Sequence, residues 1–168
     1  VGPGNKEAPS VTQLISDTQL KRVSNYCKSG VQSGANVLVG GDIHENTEGN
    51  YFAPTIFDNV DPYSTIGQEE IFGPVTSIMD FQNDDEAIEI ANSTDYGLAS
   101  GVFTSDDQKA KWTAERIQAG VIWHNDWFVD GINLTGGGYK KSGYGRDGGI
   151  EGVFSYGQTK RVSKRLSV

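Results

Sequence analysis

The stretch ASGVFTSDDQKAKWTAERIQAGVIWHN, residues 99–125, decides the fold class. Ala99 to Thr104 is short, apolar and extended in character, and Ser105 reads as a helix N-cap with Asp106 and Asp107 in the first turn. The helix is predicted to run to Gln118 with Gly120 as its C-cap, and Val121 to Asn125 is the next strand. Strand, helix and strand in this order define a βαβ unit, whose two strands pair in parallel. The pattern begins just upstream, where Val75 to Phe81 reads as a strand and Asn83-x-x-Glu86 caps a helix with Ala87, Ile88, Ile90 and Ala91 facing inward. The expectation is an α/β chain, a mostly parallel sheet with flanking helices.

Nearer the start, Ser16-x-x-Gln19 has the form of a capping box, and Leu20, Val23, Cys27 and Val31 follow at helical spacing until Gly34. A helix is predicted over 17–33, then a short strand over 35–39 closed by Gly40-Gly41, then an acidic polar loop through Asn50. Tyr51 to Val60 has strand composition, but Pro54 removes a ladder donor and points to an edge or irregular strand. Residues 126–149 form a long Gly- and aromatic-rich loop of the kind that carries function. Thr159 to Leu166 reads as a lone basic strand with only Val162 and Leu166 apolar, a strand that wants a partner.

With 168 residues, 36% of them hydrophobic, the chain can bury one core, and one domain is the expectation. Twenty-two glycines without a Gly-x-y period exclude a collagen-like class. No apolar run approaches the length of a membrane helix, and the opening Val-Gly-Pro-Gly-Asn-Lys-Glu has no hydrophobic signal core. That opening lacks methionine, as expected after processing or for a piece of something longer. A single cysteine forbids an internal disulfide, and with two histidines the usual zinc spacings cannot be assembled, so no metal site is expected. A reducing compartment fits, the cytoplasm or the mitochondrial matrix. The net charge of −8 opposes a nucleic-acid partner.

Candidate motifs divide by context. Gly143-Tyr-Gly145-Arg-Asp-Gly148 matches G-x-G-x-x-G in form, but it follows a loop, so it reads as a glycine-dense turn. Cys27 lies on the apolar stripe of a helix and reads as a small buried hydrophobe, and His124 as a strand or pocket-lining residue. The run Glu69-Glu70-Ile71-Phe72-Gly73-Pro74-Val75 stands out. A carboxylate can accept from both hydroxyls of a ribose, and a neighbouring aromatic face can pack on a flat heterocycle.

This run and its surroundings resemble the C-terminal portion of NAD(P)-dependent aldehyde dehydrogenases. The resemblance extends through Tyr51-Phe52-x-Pro54-Thr55-x-Phe57, Ala91-Asn92 to Tyr96-Gly97-Leu98-Ala99 and Gly101-Val102-Phe103, Gln118 to Asn125, and Gly137-Gly138-Tyr139-Lys140-Lys141-Ser142-Gly143 through Arg146-Asp147 to Gly149. It implies that residues 1–156 are part of an aldehyde dehydrogenase catalytic domain and 157–168 an oligomerisation strand. It also implies oxidation of an aldehyde to a carboxylic acid with NAD or NADP as cofactor. Glu70 would bind the nicotinamide ribose and Phe72 would pack beside the ring. Asn125 and the loop after it, Asp126, Trp127 and Phe128, would line the substrate tunnel, with Gly136 widening its mouth where the family often has an aromatic residue. The acids Asp126 and Asp130 among aromatics would suit a cationic aminoaldehyde. Thr159 to Leu166 would join a neighbouring chain's sheet, in a homo-oligomer or with a complementing chain.

In that family a cysteine nucleophile attacks the aldehyde and a glutamate activates water, and both lie N-terminal to the matched region together with the Rossmann-type cofactor domain. No catalytic residue is therefore assigned to this chain, and the expectation is inactivity on its own. The alternative is a non-catalytic interaction or oligomerisation module built on the same fold.

Overall fold

The computed structural model describes residues 1–5, 11–44, 48–129 and 131–166. The chain divides into two compact units, Val1–Thr94 and Asp95–Val168, where one domain was expected. Each has its own α/β arrangement.

The first unit is built on helix α1, Asp17–Gln32. Ser16 Oγ caps it by accepting from the Gln19 amide at 3.2 Å. Leu20, Val23 and Cys27 are buried as their spacing predicts, but Val31 is 55% exposed. Gly30 is buried instead, because a Cβ there would lie 2.6 Å from Ile66 and 3.3 Å from Phe57. The chain leaves the helix at Gly34, whose φ of +94° suits glycine.

Strand β1, Asn36–Val39, pairs antiparallel with β2, Thr55–Asp58. After the short helix α2, Thr65–Gln68, β2 pairs in parallel with β3, Val75–Ser77. The strand expected over 51–60 begins only at Thr55, immediately after Pro54, so the proline stays out of the ladder; Phe52 makes an isolated bridge to Ile43. Buried Thr55 is satisfied, its hydroxyl donating to the Ala53 carbonyl at 2.8 Å and accepting from the Gly41 amide at 2.9 Å. Leu20, Val23, Cys27, Phe52, Phe57, Val60, Ile66 and Ile71 form the core with Ala35. Burial pushes the Cys27 thiol up to about 11, with Asp42 adding to the shift, which favours the protonated thiol at neutral pH. Helix α3, Asp84–Asn92, is capped by Asn83, which accepts from the Glu86 amide at 3.0 Å. None of its residues is fully buried, and Ala91, expected to face inward, is exposed.

In the second unit β4, Tyr96–Gly97, is followed by β5, Ala99–Val102, helix α4, Asp107–Ala114, and β6, Val121–His124. β5 and β6 pair in parallel, Ala99 with Val121 through Val102 with His124, as the opening stretch predicts. The cap is Asp106, not Ser105, because its carboxylate accepts from both the Gln108 and Lys109 amides. The helix stops at Ala114, short of Gln118, where the Arg116 and Ile117 amides both turn back onto the Thr113 carbonyl. Parallel pairing thus holds for β5–α4–β6 and also joins β2 to β3 around α2, while β1 and β2 pair antiparallel.

The 126–149 segment is not all loop. Tyr139–Lys140 forms β7, antiparallel to β4, and Gly149–Ser155 begins the last helix, α5. Lys141 bonds Asp95 at 2.5 Å across that pair and holds the Asp95 carboxyl below its ordinary range. Thr159 to Leu166 forms no strand; a strand needs an adjacent edge for its ladder bonds, and these residues are exposed.

Candidate active site

The candidate cofactor residues lie in the first unit, on the loop between α2 and β3. Phe72 has φ +57°, unusual for a residue with a Cβ, and the residue is 71% exposed. Such a backbone persists only when its surroundings hold it. Here one face of α1 does so. Gln19 Nε2 donates to the carbonyls of Phe72 at 2.9 Å and Ile71 at 3.3 Å, and Arg22 donates to the carbonyl of Glu70 at 3.1 Å. Tyr26 donates its hydroxyl to the Glu69 carboxylate at 2.7 Å. Ile71 is buried beneath the loop, and Gly73 lets the backbone lie on Val23, 2.6 Å from where a Cβ would stand. The Glu70 carboxylate and the Phe72 ring are therefore carried, exposed, by a braced backbone.

Gln19, Arg22 and Tyr26 were not legible as site residues. The capping-box reading of Gln19 is half right: Ser16 caps its amide, but the Gln19 side chain crosses to the loop instead of returning to Ser16. An open cleft of about 570 Å³ lies beside this latch, lined by Lys21, Arg22, Asn25, Tyr26, Thr65 and Glu69.

The candidate substrate residues belong to the second unit. Asn125, at φ +53°, spends its side-chain amide on Thr104, accepting from the Thr104 amide and donating to its carbonyl, both at 2.8 Å. It ties the end of β6 to the end of β5, a structural role that its place in the motif did not disclose. Asp126 accepts from the Trp127 amide at 2.8 Å, and this turn brings the aromatics together. The Trp123 ring lies 5.1 Å from Trp127 and 6.1 Å from Phe128, and its indole N–H donates to the Val129 carbonyl at 2.7 Å. Trp127 and Phe128 remain 60% and 76% exposed. Gly101 makes room for Trp127, whose ring comes within 3.1 Å of where a Cβ would stand.

Asp126 and Gly136 share a cleft of about 470 Å³ with Trp123, His124, Val129 and Leu134. Gly136 exchanges two backbone hydrogen bonds with Asp147, and a Cβ there would make only an ordinary 3.6 Å contact with Val121, so the position leaves space that a side chain would fill. Arg146 closes the glycine-rich turn, donating to the Gly138 and Gly145 carbonyls at 3.0 and 2.8 Å and stacking over Tyr139. The G-x-G-x-x-G match is accordingly a clamped turn. Asp130 lies outside the described residues. Among the described residues no cluster of His, Cys, Asp and Glu could hold a metal ion, and no helix is long and apolar enough to cross a membrane.

The profile of the aldehyde dehydrogenase family matches residues 1–162, and the chain belongs to that family. It is 37% identical over 164 residues to betaine aldehyde dehydrogenase of Rhizobium etli strain CIAT 652, an alignment covering 96% of this chain and 34% of that protein. Among solved structures, Mycobacterium tuberculosis aldehyde dehydrogenase complexed with NAD+ superposes with a TM-score of 0.89 at 40% identity, covering 94% of this chain and 32% of the other. Betaine aldehyde dehydrogenase from Staphylococcus aureus in complex with NAD+ gives 0.82 at 37% identity, covering 86% and 29%. The chain spans about a third of the length of these relatives.

Proposed function

We propose that this chain supplies the nicotinamide-ribose clamp and part of the substrate entrance of an NAD(P)+-dependent aldehyde dehydrogenase, which converts an aldehyde and water to a carboxylic acid. One observation carries the reading: the 69–75 loop holds an exposed carboxylate and an exposed aromatic ring, Glu70 and Phe72, on a backbone braced by α1. The residues fit the cofactor's chemistry, since a carboxylate accepts from both hydroxyls of a ribose and an aromatic face packs on a flat ring. When bound, NAD(P)+ supplies the hydride acceptor. The chain's own part is to hold that ring and ribose in one orientation, which lowers the ordering cost of the reaction. The solved relatives carry NAD+, which supports the same cofactor here. A reducing compartment, the cytoplasm or the mitochondrial matrix, suits a chain whose one cysteine is a buried thiol.

For the substrate we propose a cationic aminoaldehyde. Asp126 brings negative charge to the turn that carries Trp123, Trp127 and Phe128, and aromatic faces attract cations. The betaine aldehyde dehydrogenases among the relatives support this choice. In the holoenzyme containing this chain, kcat/KM for a quaternary-ammonium aldehyde should exceed that for its neutral isostere, and Trp127→Leu should cut that preference roughly 3- to 30-fold, the range of one or two cation–π contacts. Equal use of both aldehydes would reject the cationic substrate.

A second reading, an oligomerisation module, is favoured by the apolar residues of α5 and the tail. Ile150, Val153 and Phe154 are 67–72% exposed, and Val162 and Leu166 are at least 80% exposed. We propose a second copy of this chain as the occupant, with Thr159 to Leu166 adding to its sheet. Light scattering should give a mass above the 18.2 kDa monomer, and deletion of residues 157–168 should return the monomer. A monomer before deletion would end this reading.

A further inference from the structure

We propose that Ser163 is a phosphorylation site, the acceptor of a phosphoryl group from a serine/threonine kinase that reads basic residues. The tail concentrates positive charge in a protein of net charge −8. Lys160, Arg161, Lys164 and Arg165 are four of the chain's 14 basic residues, and no acid lies among them. The tetrapeptide Lys-Arg-Val-Ser at 160–163 is followed directly by Lys-Arg-Leu-Ser at 164–167. Ser163 therefore has cations two and three residues before it. Kinases select substrates by such charge patterns, receiving each cation on a carboxylate beside the groove that holds the acceptor segment extended.

The fold decides between two copies of the same signal. Lys-Arg-Val-Ser also occurs at 21–24, in the middle of α1. There Ser24 is 8% exposed, Val23 is fully buried, and Arg22 is spent on the Tyr26 hydroxyl and the Glu70 carbonyl. A helical segment with a buried serine cannot be drawn into a kinase groove without local unfolding. Lys160 through Leu166, by contrast, are exposed and lie in no helix or strand, so this segment enters a groove with no packing to lose. Arg161 Nε donates to the Ser163 hydroxyl at 3.1 Å, an exposed contact that is readily exchanged for the kinase. In the transfer, Ser163 Oγ bonds the γ-phosphorus of ATP as the bond from that phosphorus to the β–γ bridging oxygen breaks. ADP leaves, and the hydroxyl proton passes to the kinase's catalytic aspartate. The phosphoserine then carries about −1.5 to −2 charge amid four cations, with the Arg161 guanidinium already beside it, and the tail loses about half of its positive charge. The site stands whether or not the tail adds to a second copy's sheet.

The test is incubation of the intact protein with ATP and the catalytic subunit of cyclic-AMP-dependent protein kinase, a kinase that reads arginine before serine, with the phosphate mapped by mass spectrometry. Ser163 is expected to take up phosphate and Ser24 to stay unmodified while the protein is folded. Arg161→Ala should slow uptake at Ser163 about 10- to 100-fold, the loss of one charge-assisted contact, and Arg161→Lys should restore most of the rate. Arg161 is exposed, so its variants leave the core intact. The same mapping on protein purified from the cells that make it, with phosphatases inhibited, should find phosphate at Ser163. Phosphate confined to Ser167, equal uptake at Ser24, an unchanged rate in Arg161→Ala, or an unmodified Ser163 in the cellular protein would overturn the proposal.

Discussion

Alanine at position 120 is expected to unfold the second unit or to cost it about 3 kcal/mol or more, in the upper tail for a single substitution. Gly120 stands at the entry to β6, and its amide donates to the Gly97 carbonyl at 3.1 Å. A Cβ at Gly120 would drive into the carbonyl oxygen of Gly137. That oxygen is main chain, so no side chain can swing aside. Gly137 cannot retreat either, because its own open face lies against the Gly145 carbonyl, and its φ of +154° excludes ordinary side chains. Gly97 likewise lies on the Gln118 carbonyl. Three backbone segments are thus stacked through glycines, which is why the family-like run is so rich in them. Gly136→Ala is the matched control: only Val121 lies within reach, at 3.6 Å, and the expected change is within about 0.5 kcal/mol. Urea unfolding of both variants checks the pair, and a Gly120→Ala midpoint equal to wild type would mean that the stacking is wrong.

The second large effect concerns cofactor affinity. Glu70→Gln is expected to raise KM for NAD+ in the holoenzyme about 10- to 100-fold, since charge-assisted hydrogen bonds are worth about 1.5–3 kcal/mol. Stability should hardly move. The Glu70 side chain is exposed, and the contact that fixes this residue, from Arg22, is made to its carbonyl and survives the change. Glu69→Gln makes the contrast. Its carboxylate already accepts the Tyr26 hydroxyl, and glutamine can still accept that bond, so the expected rise is within about three-fold. Comparable losses in the two variants would assign the effect to local charge in general instead of a clamp at Glu70.

Elements with strong local periodicity were legible, and those fixed by distant partners were not. The α1 stripe and the β5–α4–β6 crossover follow from apolar spacing and caps that act within a few residues. The competition between Ser105 and Asp106 for the cap turned on which side chain met two amides at once, a matter of backbone direction that residue types leave open. Pairing of β7 with β4 joins residues more than 40 positions apart and rests on two short segments, too little for a periodicity to register. Glu70 and Phe72 became candidates because they fall in one contiguous run, 69–75, that resembles a family motif. The row that braces them did not, because Gln19, Arg22 and Tyr26 look like the polar face of any surface helix until the loop is seen lying across it. The hydrogen bonds of the Asn125 side chain to the backbone of Thr104 were likewise hidden, because they join the ends of two strands 21 residues apart.

Saturation-transfer NMR of NAD+ with the 168-residue chain and its Glu70→Gln variant reads out whether this chain carries a clamp for the nicotinamide end of the cofactor. Saturation is expected mainly on the nicotinamide ring and its ribose, and Glu70→Gln should remove most of it. Saturation confined to the adenosine end, or equal signals from the two proteins, would contradict the clamp.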